Sequence, residues 1–285
     1  MSDYRPKVSV VIVTCNSLPA FNDCLEALKA AENAELELIL VDNASGDGSP
    51  DQAVEFFPDC TIIENDRNRG FAAACNQGAQ KAAGELLLFL NPDVQVDPDA
   101  IGGLRNAVES RPQAGLVSGR LRFPDGTFQA TCRNFPTIGN LIFSRGSWFS
   151  RLTRGGIDRE GRYTLPDYHE TTEVPSVAAT MLMVRKGLFE KLGGFDERFF
   201  MFMEDTDLSL RVTQTGARNY VVPSAGGVHA WGEGSPAGRF KRNCYHHYSL
   251  WRYFVKHYPN GFSVIVLPVL LTINLLLSIL TSGGG

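Results

Sequence analysis

LLLFLNPDVQVDPDA, residues 86–100, carries five uncharged apolar residues straight into Asn91-Pro92-Asp93. Five such residues bounded by a turn signal read as a strand buried on both faces, the type found in parallel sheets. Asn-Pro by itself marks a turn. The question is whether the polar pair at the strand's end stands alone, and the preceding sequence answers it. Lys7 to Thr14 is a β-branched run of strand length, and Leu18 to Ala31 places apolar residues at 18, 21, 25 and 28, one face of a helix. Leu36 to Val41 reads as a strand, Ser49 to Phe57 as a short helix with Pro50 near its start, Thr61 to Glu64 as a strand, and Phe71 to Ala83 as a helix closed by Gly84. Strands alternating with helices predict βαβ units, hence an α/β fold with a mainly parallel, Rossmann-like sheet covered by helices on both faces.

In such a sheet, ligands bind in the crevice at the carboxyl ends of the strands. Thr14 and Asn16 follow the first strand, Asp42, Asn43 and Ser45 the second, Asn65 the third, and Asn91 and Asp93 the fourth. Four successive strands therefore send polar side chains to one rim.

Past Pro112 the pattern changes. Gly115 to Gln129 predicts a strand and a hairpin around Pro124-Asp125-Gly126, and Val177 to Arg185 a strand. Asp205 to Thr215 predicts a helix ending at Gly216, and Tyr220 to Val222 a short strand. Residues 137–166 mix aromatics with Arg145, Arg151, Arg154, Arg159 and Arg162 without a clear period.

At 285 residues and 44% hydrophobic composition, the chain can bury a full core, and a net charge of −4 argues against a nucleic-acid partner. Six cysteines show neither a Cys-x-x-Cys pair nor zinc spacing, and read as free thiols. The first residues lack the features of a signal peptide. From Phe262 to Leu280 no residue is charged, about the length that crosses a bilayer. Pro268 and Asn274 lend weight to a buried helix, but little amphipathic pattern remains to give a solvent face, so membrane association is the favoured reading, as a span or as a helix in the membrane plane. The basic, aromatic stretch from Arg239 to His257 precedes it, as cytoplasmic flanks do.

A dinucleotide-binding domain needs a glycine-rich turn after its first strand, and here that turn, residues 14–20, contains no glycine. A diphosphate bound at this rim must be neutralised otherwise, and a divalent cation on side-chain oxygens such as those of Asp93 is the usual means.

Six fragments in order resemble the inverting family 2 glycosyltransferases of the GT-A fold: VSVVIVTCN (8–16), VDNASGDGS (41–49), ENDRNRGFAAACNQG (64–78), LLLFLNPDV (86–94), FMEDTDLSLR (202–211) and VHAWGEGS (228–235). The Asn-Pro-Asp form and the Asn-Arg-Gly-Phe segment look most like bacterial rhamnosyltransferases that use dTDP-L-rhamnose. The resemblance implies a GT-A catalytic domain over 1–235, and the composition beyond it reads as a basic, aromatic juxtamembrane helix over 236–261 and an apolar membrane-associated segment over 262–281.

It also implies roles. Thr14, Asn16, Asp42, Asn68, Gly70 and Phe71 would receive the nucleoside, with Gly70 allowing close approach. Asp42-Asn43 fits a turn and helix cap equally well on local sequence. Asn91 would address sugar, and Asp93 a Mg²⁺ or Mn²⁺ ion together with diphosphate oxygens, water and His229. The first carboxylate of the family's Asp-x-Asp is an amide here, which weakens the hold on a hard cation. Asp205 would be the general base on the acceptor hydroxyl and Glu204 would position the acceptor. Arg211 serves a phosphate or a carboxylate, and Trp231 stacks on sugar or packs. The partners implied are dTDP-rhamnose or a UDP-sugar, and a glycan or polyprenyl-diphosphate-linked acceptor at the cytoplasmic face of a bacterial inner membrane. The aromatic, arginine-rich residues 143–162 would face that acceptor. The rival readings are the same fold using a UDP-hexose and a catalytically silent nucleotide-sugar or glycan-binding module.

Overall fold

The computed structural model describes residues 8–31, 35–137, 164–230 and 238–282. The N-terminal half follows the predicted alternation: β1 (Val8–Thr14), α1 (Ala20–Ala30), β2 (Leu36–Asp42), α2 (Ser49–Phe56), β3 (Thr61–Glu64), α3 (Phe71–Lys81) and β4 (Leu86–Leu90). β5 (Val94–Val96) and α4 (Ala100–Glu109) follow, then β6 (Ala114–Arg122), β7 (Phe128–Gln129) and β8 (Cys132–Arg133). Next come β9 (Thr172–Val174), β10 (Ser176–Val177), β11 (Met181–Arg185), α5 (Lys186–Lys191), α6 (Glu204–Gln214) and β12 (Arg218–His229). Two C-terminal helices, α7 (Arg239–His257) and α8 (Ser263–Ser282), end the described chain.

The central sheet runs β3-β2-β1-β4-β11-β6-β12-β5. Its first four strands are parallel, and β6 and β12 pair in parallel. β11 lies antiparallel between β4 and β6, so the sheet is mixed rather than uniformly parallel. Alternation along the strands supplies two cores. Val10 and Ile12 face Phe21, Leu25 and Leu104 on one side, while Val11 and Val41 face Ala72, Cys75 and Leu208 on the other. All six cysteines are free, with Cys24, Cys75 and Cys132 buried.

Two local departures from the sequence reading shape the rim. The strand predicted over Val177–Arg185 is broken at Ala178-Ala179-Thr180, between β10 and β11. The short strand predicted at Tyr220–Val222 extends to His229, with a register shift between Val222 and Gly226. Pro223 and the Gly226-Gly227 pair read as breakers in the sequence, yet they serve the pairing. A Cβ at Gly227 would stand 2.7 Å from the Gln95 carbonyl oxygen, so only glycine lets β12 close on β5.

α7 packs on the segment before α6. Tyr253, Leu250 and Phe254 form a third cluster with Phe199, Met203 and Leu267. α8 contains Pro268, which has no N–H for the Val264 carbonyl one turn back. The Trp251 indole N–H donates to that carbonyl at 3.2 Å and joins the two helices. Phe262, just before α8, and Ile265, Val269 and Ile273 along it are exposed, Phe262 at 77% and Ile265 at 73%. Among the described residues no helix is long and apolar enough to cross a membrane, so the spanning reading of 262–281 finds no support.

Candidate active site

The strand ends converge as the sequence implied. Thr14 closes β1 and donates its hydroxyl to Asp42 Oδ1 at 2.8 Å, while Asp42 Oδ2 accepts the Ser45 N–H at 2.8 Å. Asp42 is only 2% exposed, so it organises the rim from within as much as it faces a ligand. Exposed Asn16 is fixed on both sides: its N–H donates to Ser45 Oγ and its Oδ1 accepts the Gly46 N–H, each at 2.8 Å. Below them lies an amide network that the implied site did not include. Asn65 donates to Asn43 Oδ1 and exchanges a reciprocal pair of 2.9 Å bonds with Gln77. Asn43 Oδ1 also accepts the Arg69 N–H, and Asn68 holds the Gly70 N–H at 2.8 Å and reaches Cys15 Sγ at 3.2 Å.

Gly70 has a positive φ of 88°, but what approaches it is protein. A Cβ there would stand 2.5 Å from the Phe200 carbonyl oxygen, which accepts the Phe71 N–H at 2.8 Å. The glycine thus joins the polar rim to the segment that delivers Glu204 and Asp205.

Asn91 is half-buried, and its N–H donates to the Thr180 carbonyl at 2.9 Å. Asp93 is 5% exposed. β5 pairs with β12 so that Val94 lies opposite His229, and the Ala230 N–H donates to the Asp93 carbonyl. His229 Nδ1 stands 2.6 Å from Gln129 Oε1, an oxygen that can only accept, so Nδ1 carries the proton and Nε2 faces Asp93 Oδ1 at 3.1 Å. Two ligands at right angles about one Mg²⁺ stand about 3 Å apart, so the pair fits a shared cation. No group of three or more His, Cys, Asp and Glu able to hold a metal occurs among the described residues. Among the described residues Asp93 and His229 are the two donors that meet at this point, and a cation held by them would take its remaining ligands from diphosphate and water.

Glu204 and Asp205 open α6 after two left-handed residues, Phe202 and Met203. Asp205 Oδ1 accepts the Thr206 N–H at 2.6 Å, and Oδ2 lies 3.4 Å from the Ala179 N–H and 4.0 Å from Arg133 Nη1. Ala179 adjoins Thr180, whose carbonyl holds Asn91, so the break between β10 and β11 brings Asp205 to the Asn-Pro-Asp rim. Burial, with the charge of Asp205 adding, pushes Glu204 well above the usual carboxylate range. Its Oε2 meets no hydrogen-bond partner in the described structure.

Other residues have structural employment. Arg211 pairs with Asp207 at 2.8 Å and donates to the Leu192 and Gly194 carbonyls, so it serves a carboxylate. Fully buried Asp207 also receives His257 at 2.7 Å and Lys256 at 2.5 Å from α7. Arg133 beside Asp205 and the Asn43–Asn65–Gln77 network were not among the implied site residues. The polar strand ends pointed to the network, whereas Arg133 lay in a stretch with no motif. Trp231 and residues 143–162 lie outside the described residues.

With this geometry, known proteins can be compared. The model of glycosyl transferase family 2 matches residues 9–193. An N-acetylglucosaminyl-diphospho-decaprenol L-rhamnosyltransferase of Mycobacterium tuberculosis is 32% identical over 244 residues, covering 80% of this chain and 76% of that protein. The rhamnosyltransferase WbbL of Escherichia coli is 30% identical over 148 residues, 51% of this chain and 52% of its own. Among solved structures, the mannosyltransferase PcManGT from Pyrobaculum calidifontis, in complex with GDP-Man and Mn²⁺, superposes with a TM-score of 0.60 at 22% identity. That match covers 99% of this chain and 74% of the other, and establishes likeness of fold alone. Together the family match and the mycobacterial relative assign the chain: it belongs to glycosyltransferase family 2 and is a rhamnosyltransferase-like enzyme.

Proposed function

We propose that this enzyme transfers L-rhamnose from dTDP-L-rhamnose, with inversion, to a glycan or polyprenyl-diphosphate-linked saccharide at the cytoplasmic face of a bacterial inner membrane. The observation that carries the reading is the 32% identity, over most of both chains, to an L-rhamnosyltransferase whose name specifies a decaprenol-linked N-acetylglucosaminyl acceptor. In this reading the nucleoside rests on Thr14, Asn16, Asp42 and Asn68-Arg69-Gly70-Phe71. Asp42 accepts the imide N–H of thymine, as it would that of uracil.

Asp93 and His229 would hold a Mg²⁺ or Mn²⁺ ion, which when bound offsets the charge of the departing diphosphate. Asn91 hydrogen-bonds a sugar hydroxyl. Asp205 takes the proton of the acceptor hydroxyl on the face opposite the nucleotide, which gives inversion. Glu204, whose burial favours the protonated form, donates a hydrogen bond to the acceptor rather than competing for its proton. The apolar outer face of α8, with Tyr248 and Trp251 of α7 beside it, lies in the membrane plane and keeps the base near lipid-linked acceptors.

The test is release of nucleoside diphosphate on mixing donor with polyprenyl-diphosphate-linked N-acetylglucosamine, with and without Mg²⁺. Preference for dTDP-rhamnose over UDP-hexoses supports the reading. Preference for a UDP-hexose overturns the donor, and absence of transfer with either donor returns the chain to a binding role.

A further inference from the structure

α7 carries an arrangement that the transfer reading leaves unused. Lys241, Tyr245, Ser249, Tyr253 and His257 recur at the spacing that puts helical residues on one face. Most of that face is committed to the segment leading into α6. Ser249 donates to the Met201 carbonyl at 2.8 Å, Tyr253 is fully buried, and His257 meets Asp207. Towards the start of the helix the Tyr245 ring packs 4.7 Å from that of Phe200, the residue whose carbonyl takes the Phe71 N–H at the nucleotide rim. One turn earlier, the Lys241 ammonium stands 5.8 Å from the Tyr245 ring centroid.

Lys241 is exposed, and among the described residues it forms no ion pair with a carboxylate. Its charge nevertheless reaches the rim: the Cys15 thiol, raised chiefly by burial, is drawn back by Asn68 and by Lys241. Cys15 sits between Thr14 and Asn16. The rim itself holds Asp42 and Asp93, and Asp47 beside it accepts the Leu18 N–H, so a diphosphate arriving there meets negative charge. A cation on a flexible stem beside the opening is suited to answer it.

We infer that α7 forms a wall of the donor site and that Lys241 pairs with the diphosphate of the nucleotide sugar. The inference rests on the reading of the rim as a nucleotide-sugar site. It makes α7 a shared support, touching the donor through Lys241 and Tyr245 and the proposed base through the contacts of Ser249, Tyr253 and His257.

The test titrates the full chain with dTDP and UDP, and with thymidine and uridine, at fixed Mg²⁺. Wild type is compared with Lys241→Gln and Lys241→Arg, each checked for an unchanged melting temperature. Lys241→Gln is expected to lose about tenfold or more in affinity for the nucleoside diphosphate, the scale of one charge-assisted contact. Nucleoside affinity should stay level, and Lys241→Arg should remain within about threefold of wild type, since it keeps the charge. Wild-type diphosphate affinity in Lys241→Gln, or an equal loss for the nucleosides, overturns the inference while leaving the nucleotide site in place. If wild type binds neither diphosphate, the nucleotide-site reading itself fails and the inference with it.

Discussion

At the scale of single residues, adjacent carboxyl groups are placed in different surroundings. Glu204 is buried with Oε2 unpartnered, while Asp205 accepts the Thr206 N–H and lies near Ala179 and Arg133. The sequence made this pair legible as a candidate site, because two acids opening a helix at the right place in the family pattern are a specific signal. It could not assign their environments, since burial depends on Phe199–Met203 and α7 closing over them. The raised Glu204 yields a prediction with a definite sign. An acid whose folded pKa lies above its unfolded value is stabilising only below the unfolded value, near 4.5, and costs stability as pH rises beyond it. Glu204→Gln mimics the neutral acid. Its unfolding free energy relative to wild type should therefore rise as pH climbs above about 4.5, by up to about 1.4 kcal/mol per pH unit. A difference that stays flat with pH would contradict a neutral Glu204.

At the scale of elements, the first four strands and three helices were readable because their apolar periods are regular and β-branched residues fill the strands. The second half resisted for identifiable reasons. β12 hides its length behind Pro223 and two glycines, and β11 reverses direction, which no local pattern encodes. Phe202 and Met203 adopt left-handed conformations that cost on the order of 1–3 kcal/mol each, and α7 holds them there through Tyr253 and the Ser249–Met201 bond. The ionic anchor of α7 is Asp207. Burial alone would raise this carboxyl, but bonds from His257 and Lys256 and the Arg211 charge outweigh it and hold the group low. A depressed acid stabilises above its unfolded value and loses that contribution as pH falls through the folded one. Acidification below about pH 4 should therefore loosen α7 first, visible as amide exchange in α7 ahead of the sheet. Asp207→Asn removes the buried carboxylate that Arg211 and Lys256 pair with and should cost about 3–5 kcal/mol in denaturant unfolding. A cost below about 1 kcal/mol would show that α7 is held by its apolar contacts alone.

At the scale of the whole molecule, the polar rim, the Asp93–His229 pair and Asp205 gather at one end of the sheet, and α7 ties that end to α8. The exposed row of Phe262, Ile265, Val269 and Ile273 gives the proposed membrane contact a defined face. Replacing Ile265 and Val269 with glutamate should abolish sedimentation with anionic vesicles while leaving dTDP affinity unchanged, because neither residue approaches the rim. Retained vesicle binding would place the contact on another surface. The central claim is chemical and is tested most directly on the product. Wild type, incubated with dTDP-L-rhamnose and polyprenyl-diphosphate-linked N-acetylglucosamine, should form a rhamnosyl product whose anomeric configuration, read by NMR, is opposite to that of the donor. Asp205→Asn should form it at least ~10²-fold more slowly with donor affinity preserved. A product that retains the donor configuration, or an Asp205→Asn variant that turns over at the wild-type rate, would contradict the account.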